Sequence, residues 1–137
     1  MKRIVFAFMA LCSVVAYGQS VTKHMTIEQK AMGQQKLNAL IMKNDTSYYL
    51  MLRTHEGLYD YLTVGLGFRQ NAMRLLKVMN EAELEKGDIL NLENYGKNYL
   101  VRYNRETFTV CDEYGIERAH LMKKSIRAFI EALEKWR

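Results

Sequence analysis

The side chains best suited to nucleophilic chemistry in this sequence are Cys111 and His120. A thiol beside an imidazole can act as nucleophile and general base. Cys111, however, lies in a segment whose composition predicts a strand, whereas a helix N-terminus would be needed to lower the pKa of a thiol through the helix dipole. We therefore interpret Cys111 as a buried structural thiol, and a thiol enzyme that uses Cys111 and His120 stays an alternative hypothesis.

The histidines at positions 24, 55 and 120 do not have the spacing of metal ligands. The sequence contains no His-x-x-x-His or Cys-x-x-Cys pair, and the neighbours His55 and Glu56 would point to opposite sides of a strand. Carboxylate groups such as Asp112-Glu113 lie on segments where a solvated face explains them. We expect no metal site, no cofactor and no enzymatic activity.

Tyrosines are the strongest candidates for ligand contacts. The pair Tyr59 and Tyr61, and the pair Tyr99 and Tyr103, each have the spacing that places two side chains on one strand face. Tyrosine offers apolar area and a hydrogen-bonding hydroxyl at low entropic cost, which suits peptides and glycans. Cross-strand packing is the alternative role. We predict these four residues as ligand-binding.

A second feature is the stretch Gly65-Leu66-Gly67-Phe68. It resembles the loop with which PDZ domains hold a terminal carboxylate, and that resemblance implies peptide binding. The resemblance covers four residues, and the order of elements that follows departs from the PDZ pattern. A glycine pair two residues apart on a strand also leaves bare backbone on one face. We therefore predict that another element, or a ligand, packs against Gly65 and Gly67.

The N-terminal segment has the order of a secretory signal peptide. Lys2 and Arg3 precede an apolar run over residues 4–15, and small residues follow at Ala16 and Gly18. The run is shorter than the roughly 20 residues that a transmembrane helix needs. We predict cleavage near Gly18, export to the periplasm or the medium, and a single domain over residues 19–137.

Charge and cysteine content narrow the class of partner. Residues 1–18 carry two of the 20 basic side chains and none of the 15 acidic ones, which leaves a net charge of 18 − 15 = +3. This charge is too small to indicate nucleic acid. Cys111 is the only cysteine after position 18, so no intramolecular disulfide is expected. We predict a small exported binding module whose partner is an envelope or extracellular protein, peptide or glycan.

Hydrophobic periodicity predicts an α+β domain with the order α-ββ-α-βββ-α and one mainly antiparallel five-stranded sheet. Thr26 and Gln29 have capping-box spacing, which predicts a first helix over residues 27–43. This helix is the weakest element, and its docking to a larger envelope assembly is a further alternative function. The remaining prediction is strands at 47–53 and 59–68, a helix from 69 to about 86, strands at 89–93, 99–104 and 107–114, and a helix over 118–137.

Overall fold

The computed structural model describes residues 23–57, 59–94 and 97–136. The predicted signal peptide, residues 1–18, lies outside them. The described residues form an α+β fold of eight strands and two helices. In chain order these are β1 (Lys23–Lys30), β2 (Gln35–Ile41), β3 (Thr46–Arg53), β4 (Tyr61–Phe68), α1 (Arg69–Glu81), β5 (Ile89–Asn91), β6 (Tyr99–Asn104), β7 (Thr107–Cys111), β8 (Glu117–Met122) and α2 (Lys123–Lys135).

The strands form two antiparallel four-stranded sheets in which every strand pairs with its neighbour in sequence. Sheet 1 has the order β1-β2-β3-β4 and sheet 2 the order β5-β6-β7-β8. Each sheet is followed at the next residue by a helix of 13 residues. The chain therefore repeats one ββββα unit, and the predicted single five-stranded sheet with the order α-ββ-α-βββ-α is wrong in these details.

The predicted helix over residues 27–43 is a β-hairpin made of β1 and β2. Its turn contains three consecutive residues with positive φ, namely Ala31 at 55°, Met32 at 58° and Gly33 at 85°. These angles are incompatible with a right-handed helix. Leu37 and Ala39 alternate with more polar positions and are fully buried. The alternation that builds β2 is present in the sequence, but leucine and isoleucine also recur there at helical spacing.

The predicted C-terminal helix begins later than the sequence pattern indicates. Residues 117–122 form β8, in which Ala119 and Leu121 are buried on alternate positions. Met122 still has extended backbone angles, with φ −86° and ψ 145°, and α2 starts at Lys123. No turn residue separates the strand from the helix, so the apolar spacing of α2 runs into that of β8 without a visible boundary.

The other predicted elements are confirmed in type, but three of them end earlier than predicted: α1 ends at Glu81, β5 at Asn91 and β7 at Cys111. β3 and β4 form the expected hairpin, and α1 begins at Arg69 as the change of period at this residue predicts. β5, β6 and β7 form the expected meander. The strong apolar and aromatic alternation of these strands, bounded by polar turns, makes their identification from sequence straightforward.

The core lies between the helices and the inner face of sheet 1 and continues into sheet 2 as one apolar cluster. α1 and α2 contact each other; α1 contacts β3 and β4, and α2 contacts β1. The inner face contributes buried side chains such as Leu50, Leu52, Val64 and Leu66. Because these strands alternate, the residues between them point to the opposite, outer face of sheet 1.

Sheet 1 and sheet 2 join at a short junction. Thr54, the residue after β3, forms an isolated antiparallel bridge with Ala119 of β8. The backbone N–H of His55 donates to the carbonyl of Arg118 at 3.0 Å, and the backbone N–H of Met122 donates to Oε1 of Gln35 at 3.1 Å.

Among the described residues, neither helix has the length and apolar character needed to cross a membrane.

Candidate functional site

An apolar depression lies on the outer face of sheet 1, and we call it the hollow. It is an open cavity of about 550 Å³. All four strands of the sheet contribute to it. Its lining consists of His24, Leu40, Ser47, Tyr48, Tyr49, Met51, Thr63, Gly65, Gly67 and Phe68.

The two glycines of β4 make the hollow possible. A Cβ at Gly65 would have no atom within 4 Å, and Gly65 does not have positive φ. A Cβ at Gly67 would lie 3.1 Å from Nδ2 of Asn71, and Gly67 has φ +84°. Gly67 is therefore required by the backbone turn into α1, whereas Gly65 leaves space that no described residue of this chain occupies.

Aromatic and sulfur-containing side chains form the apolar walls. Tyr49 and Met51 alternate along β3 with the buried Leu50 and Leu52, so their side chains stand on the outer face. Phe68 ends β4 at the edge of the hollow and is 56% exposed. Such a surface offers dispersion contacts to an apolar group that lies on the bare backbone of β4.

The polar rim of the hollow centres on Tyr49. Its hydroxyl lies 2.7 Å from Nδ1 of His24, and the two rings meet edge to face with centroids 5.9 Å apart. Burial raises the pKa of Tyr49, although a hydrogen bond with Asn38 opposes this effect. The phenol therefore stays neutral at physiological pH and keeps its hydrogen-bonding proton.

Neighbouring polar side chains hold this face in place. Nδ2 of Asn38 donates to Sδ of Met51 at 3.1 Å, which fixes one wall. Nδ2 of Asn94, in the loop after β5, donates to the carbonyl of Gly65 at 3.0 Å and to Oδ1 of Asn98 at 3.1 Å. The loop of sheet 2 thus satisfies the backbone of β4 at the glycine that opens the hollow.

None of the four predicted tyrosines lines the hollow. Tyr59 lies in the turn before β4 and is 95% exposed. Tyr61 is half-buried; its hydroxyl lies 3.5 Å from the carbonyl of Gly33, and Nζ of Lys36 lies 5.5 Å from its ring. Tyr61 therefore packs against the turn of the β1–β2 hairpin.

Tyr99 and Tyr103 both lie on β6 of sheet 2. The Tyr99 hydroxyl is 2.6 Å from the position that a Cβ of residue 115 would take, so the side chain packs against Gly115. Tyr103 is 51% exposed, and its ring lies 5.0 Å from that of His120 between centroids. Each of the two has a packing partner within the chain, and the sequence-based prediction of ligand contact stays a prediction for all four tyrosines.

The residues of the hollow come from positions that the tyrosine pattern did not single out. The prediction that another element packs against Gly65 and Gly67 holds only at Gly67, where the Asn71 side chain lies close; no described atom lies within 4 Å of a Cβ at Gly65. The prediction does not identify His24, Leu40 or Tyr49. The register of three strand pairs is needed to bring these side chains together. A usable signal is the alternation over residues 47–53, which puts Tyr49 opposite the core side chains.

Cys111 and His120 have separate surroundings. Cys111 is buried in β7, and burial raises the pKa of its thiol, as do Glu117 and Asp112. His120 lies opposite Thr109, whose Oγ1 is 3.5 Å from its Nδ1. These are the surroundings of a structural thiol, because a nucleophilic cysteine needs a lowered pKa and access to solvent.

His120 also lies beside His55, with ring centroids 4.7 Å apart, at the junction of the two sheets. Burial and the neighbouring His55 lower the pKa of His120, while a hydrogen bond with the backbone of Phe108 and the charge of Glu117 act in the opposite direction.

Within residues 23–57, 59–94 and 97–136, no three His, Cys, Asp or Glu side chains come close enough to hold a metal ion.

Comparison of the chain with models of protein families, with curated proteins and with solved structures finds no match.

Proposed function

We propose that this chain is a small exported binding module without a catalytic role, and that its site is the hollow on the outer face of sheet 1. Its partner is a protein of the cell envelope or extracellular space that inserts an apolar side chain into the hollow. The apolar walls suit an aromatic or large aliphatic side chain, and the phenol and imidazole at the rim can also bind a polar atom at the end of that side chain, such as a tyrosine hydroxyl.

Gly65 is the observation that carries this proposal. A glycine inside a strand costs roughly 0.5–1 kcal/mol relative to alanine. Gly65 does not have positive φ, and no described atom lies within 4 Å of the position that its Cβ would take. The register between β3 and β4 shifts between Gly65 and Gly67, so a β-bulge accompanies this glycine, but the bulge does not fill the space above it. What it provides is open space above a strand, between Tyr49 and Phe68. A binding partner from outside the chain explains that space.

An NMR titration tests the location of the site. The probe is p-cresol, an analogue of the tyrosine side chain, added to the ¹⁵N-labelled protein. We expect saturable amide shift changes that cluster at Thr63, Gly65 and Gly67 and on the facing strand β3. Changes concentrated around Tyr59, Tyr99 or Tyr103 would place binding elsewhere and contradict the proposal.

The same sample tests the other possible occupant of the hollow, a second copy of this chain. Analytical ultracentrifugation over a wide range of protein concentration should show a monomer with the hollow open. A dimer that is lost on substitution of Phe68 by serine would show that the hollow is covered by another protomer, and it would overturn the assignment to a different partner protein.

A further inference from the structure

A small polar cavity lies where the end of β3 passes from sheet 1 to sheet 2, and we call it the junction cavity. The backbone N–H of Arg53 donates to the carbonyl of Gln34, at the end of the β1–β2 hairpin, at 2.8 Å. Two residues later, the N–H of His55 donates to the carbonyl of Arg118 in β8 at 3.0 Å. The cavity has a volume of about 140 Å³, and its lining consists of Gln34, Gln35, Arg53, Thr54, His55 and His120.

The three basic residues of this lining lie on one face of the junction. Thr54 is paired with Ala119 in an antiparallel bridge, so Arg53 lies opposite His120, and Arg53 and His55 flank Thr54 on the same side. The rings of His55 and His120 have centroids 4.7 Å apart. Among the described residues, no carboxylate lines the cavity. The lining therefore brings hydrogen-bond donors together without an acidic partner.

Two donors of the cavity have no acceptor within the described chain. Nε of Arg53 is buried without a hydrogen bond, and the ion pairs of the described residues involve Arg118 and Arg127 instead. Gln35 is 5% exposed, and its Oε1 accepts from the backbone N–H of Met122. Its Nε2 is then left as a donor without a described partner. Because buried donors are normally paired, an acceptor from outside the chain is expected here.

The carboxylates of the junction are engaged outside the cavity. Asp60 and Glu56 each lie 3.5 Å from Nη2 of Arg118. Asp60 also accepts from Oγ1 of Thr54 at 2.6 Å. The titratable and charged groups close to His120 are Arg53, His55, Tyr103 and Glu117.

We propose that the junction cavity binds a small oxyanion between the guanidinium of Arg53 and the imidazoles of His55 and His120. Guanidinium and imidazolium groups donate strong, charge-assisted hydrogen bonds to carboxylate, phosphate and sulfate oxygens. A divalent cation does not suit the cavity, because Arg53 repels it and no described carboxylate is present to bind it. The junction cavity shares no lining residue with the hollow, so the two sites are independent.

NMR of the histidine rings tests the inference. The ¹⁵N-labelled protein is titrated with sodium sulfate at about pH 6.5 and at constant ionic strength, with NaCl as the balancing salt. We expect saturable shift changes at the rings of His55 and His120 and none at His24, which lies in the hollow. A parallel titration with sodium acetate shows whether a tetrahedral oxyanion or a planar carboxylate binds more tightly.

The pH dependence of binding gives a second readout. Burial and His55 lower the pKa of His120 in the free protein. Bound sulfate should raise this pKa, because a neighbouring anion stabilises the charged imidazolium. Sulfate should therefore bind about fivefold more tightly at about pH 6 than at about pH 8. Sulfate keeps its charge over this range, so the change reports the protein.

Substitutions locate the site. Arg53→Gln removes the guanidinium and should weaken sulfate binding at least about tenfold. Arg74→Gln, at an exposed position of α1, is the matched control and should bind like wild type. His55→Gln, also at an exposed position, should weaken binding about fivefold without a change in the buried part of the junction. Circular dichroism establishes that each variant is folded.

Three results would overturn the inference. The first is the absence of saturable changes at His55 and His120 with both sulfate and acetate. The second is an equal response of His24, which would indicate a general effect of the salt. The third is unchanged sulfate binding by folded Arg53→Gln and His55→Gln proteins. None of them affects the hollow, because binding of p-cresol is measured separately.

Discussion

Gly65 and Gly67 stand two residues apart on β4, yet the backbone makes different demands at the two positions. Gly67 has φ +84° and turns the chain from β4 towards α1, with Asn71 packed close to it. Gly65 lacks positive φ and has open space where a side chain would be. At the scale of single residues, Gly67 serves the fold, and Gly65 serves the hollow.

Alanine substitutions should therefore have opposite effects on stability. Gly65→Ala is expected to raise the free energy of unfolding by up to about 1 kcal/mol, because it restricts the unfolded chain without strain in the folded one. Gly67→Ala should lower it by about 1–2 kcal/mol, since alanine disfavours positive φ. Urea denaturation measures both, and a destabilising Gly65→Ala would contradict the open space above β4.

The β1–β2 hairpin shows how far the sequence defines an element. Thr26 and Gln29 match a capping box, and Leu37, Leu40 and Ile41 match helical spacing, yet Leu37, Ala39 and Ile41 match strand alternation equally well. Pairing of β2 with both β1 and β3 decides between them, and this pairing is invisible in a local window. In β3, β4 and β6 the two-residue period of a strand dominates, so the sequence alone predicts these strands.

The hollow, too, can be predicted from the sequence only where it does not depend on strand pairing. The bare backbone at Gly65 and Gly67 can be predicted from one strand, because it depends only on residues two apart. The walls of the hollow cannot, because His24, Leu40 and Tyr49 belong to three other strands and meet only through the sheet register. The helix predicted over residues 27–43 does not form, because these residues contribute β1 and β2 of sheet 1. Docking of this segment to a larger envelope assembly stays a prediction.

Substitutions in the hairpin test its structural role. Leu37 is fully buried in the core, so Leu37→Ala should lower the free energy of unfolding by about 2–5 kcal/mol through lost apolar contacts and a residual cavity. Met32→Ala is the matched control in the same hairpin, because Met32 is 97% exposed; it should change stability by less than about 0.5 kcal/mol. Equal, small effects in thermal denaturation would mean that β2 does not belong to the core.

At the scale of the whole molecule, two ββββα units share one core and meet at a junction that contains His55 and His120. Burial and His55 lower the pKa of His120 in the folded protein. The unfolded chain, whose histidines have pKa values of about 6.5, then binds a proton at higher pH than the folded protein does. The neutral His120 therefore contributes its full stabilisation above a pH of about 6.5. This contribution to the free energy of unfolding decreases as the pH falls below that value.

The pH dependence of unfolding gives the corresponding prediction. The free energy of unfolding should decrease between about pH 7.5 and pH 5.5, as the unfolded chain takes up the proton first. His120→Gln should flatten this slope while it keeps a polar side chain next to Thr109. Urea titrations at several pH values measure the effect, and an equal slope in the variant would show that His120 is not its source.

If the space above Gly65 is a binding site, a side chain that fills this space should block binding. Gly65→Val places a β-branched side chain in the hollow at a strand position, while Gly57→Val adds the same side chain at another glycine that has no neighbour within 4 Å and no positive φ. Side-by-side NMR titrations of wild type and both variants with p-cresol are the measurement. We expect the shift changes on β3 and β4 to disappear in Gly65→Val, with no loss of thermal stability, and to persist in Gly57→Val. Unchanged p-cresol binding by a folded Gly65→Val protein would contradict this expectation.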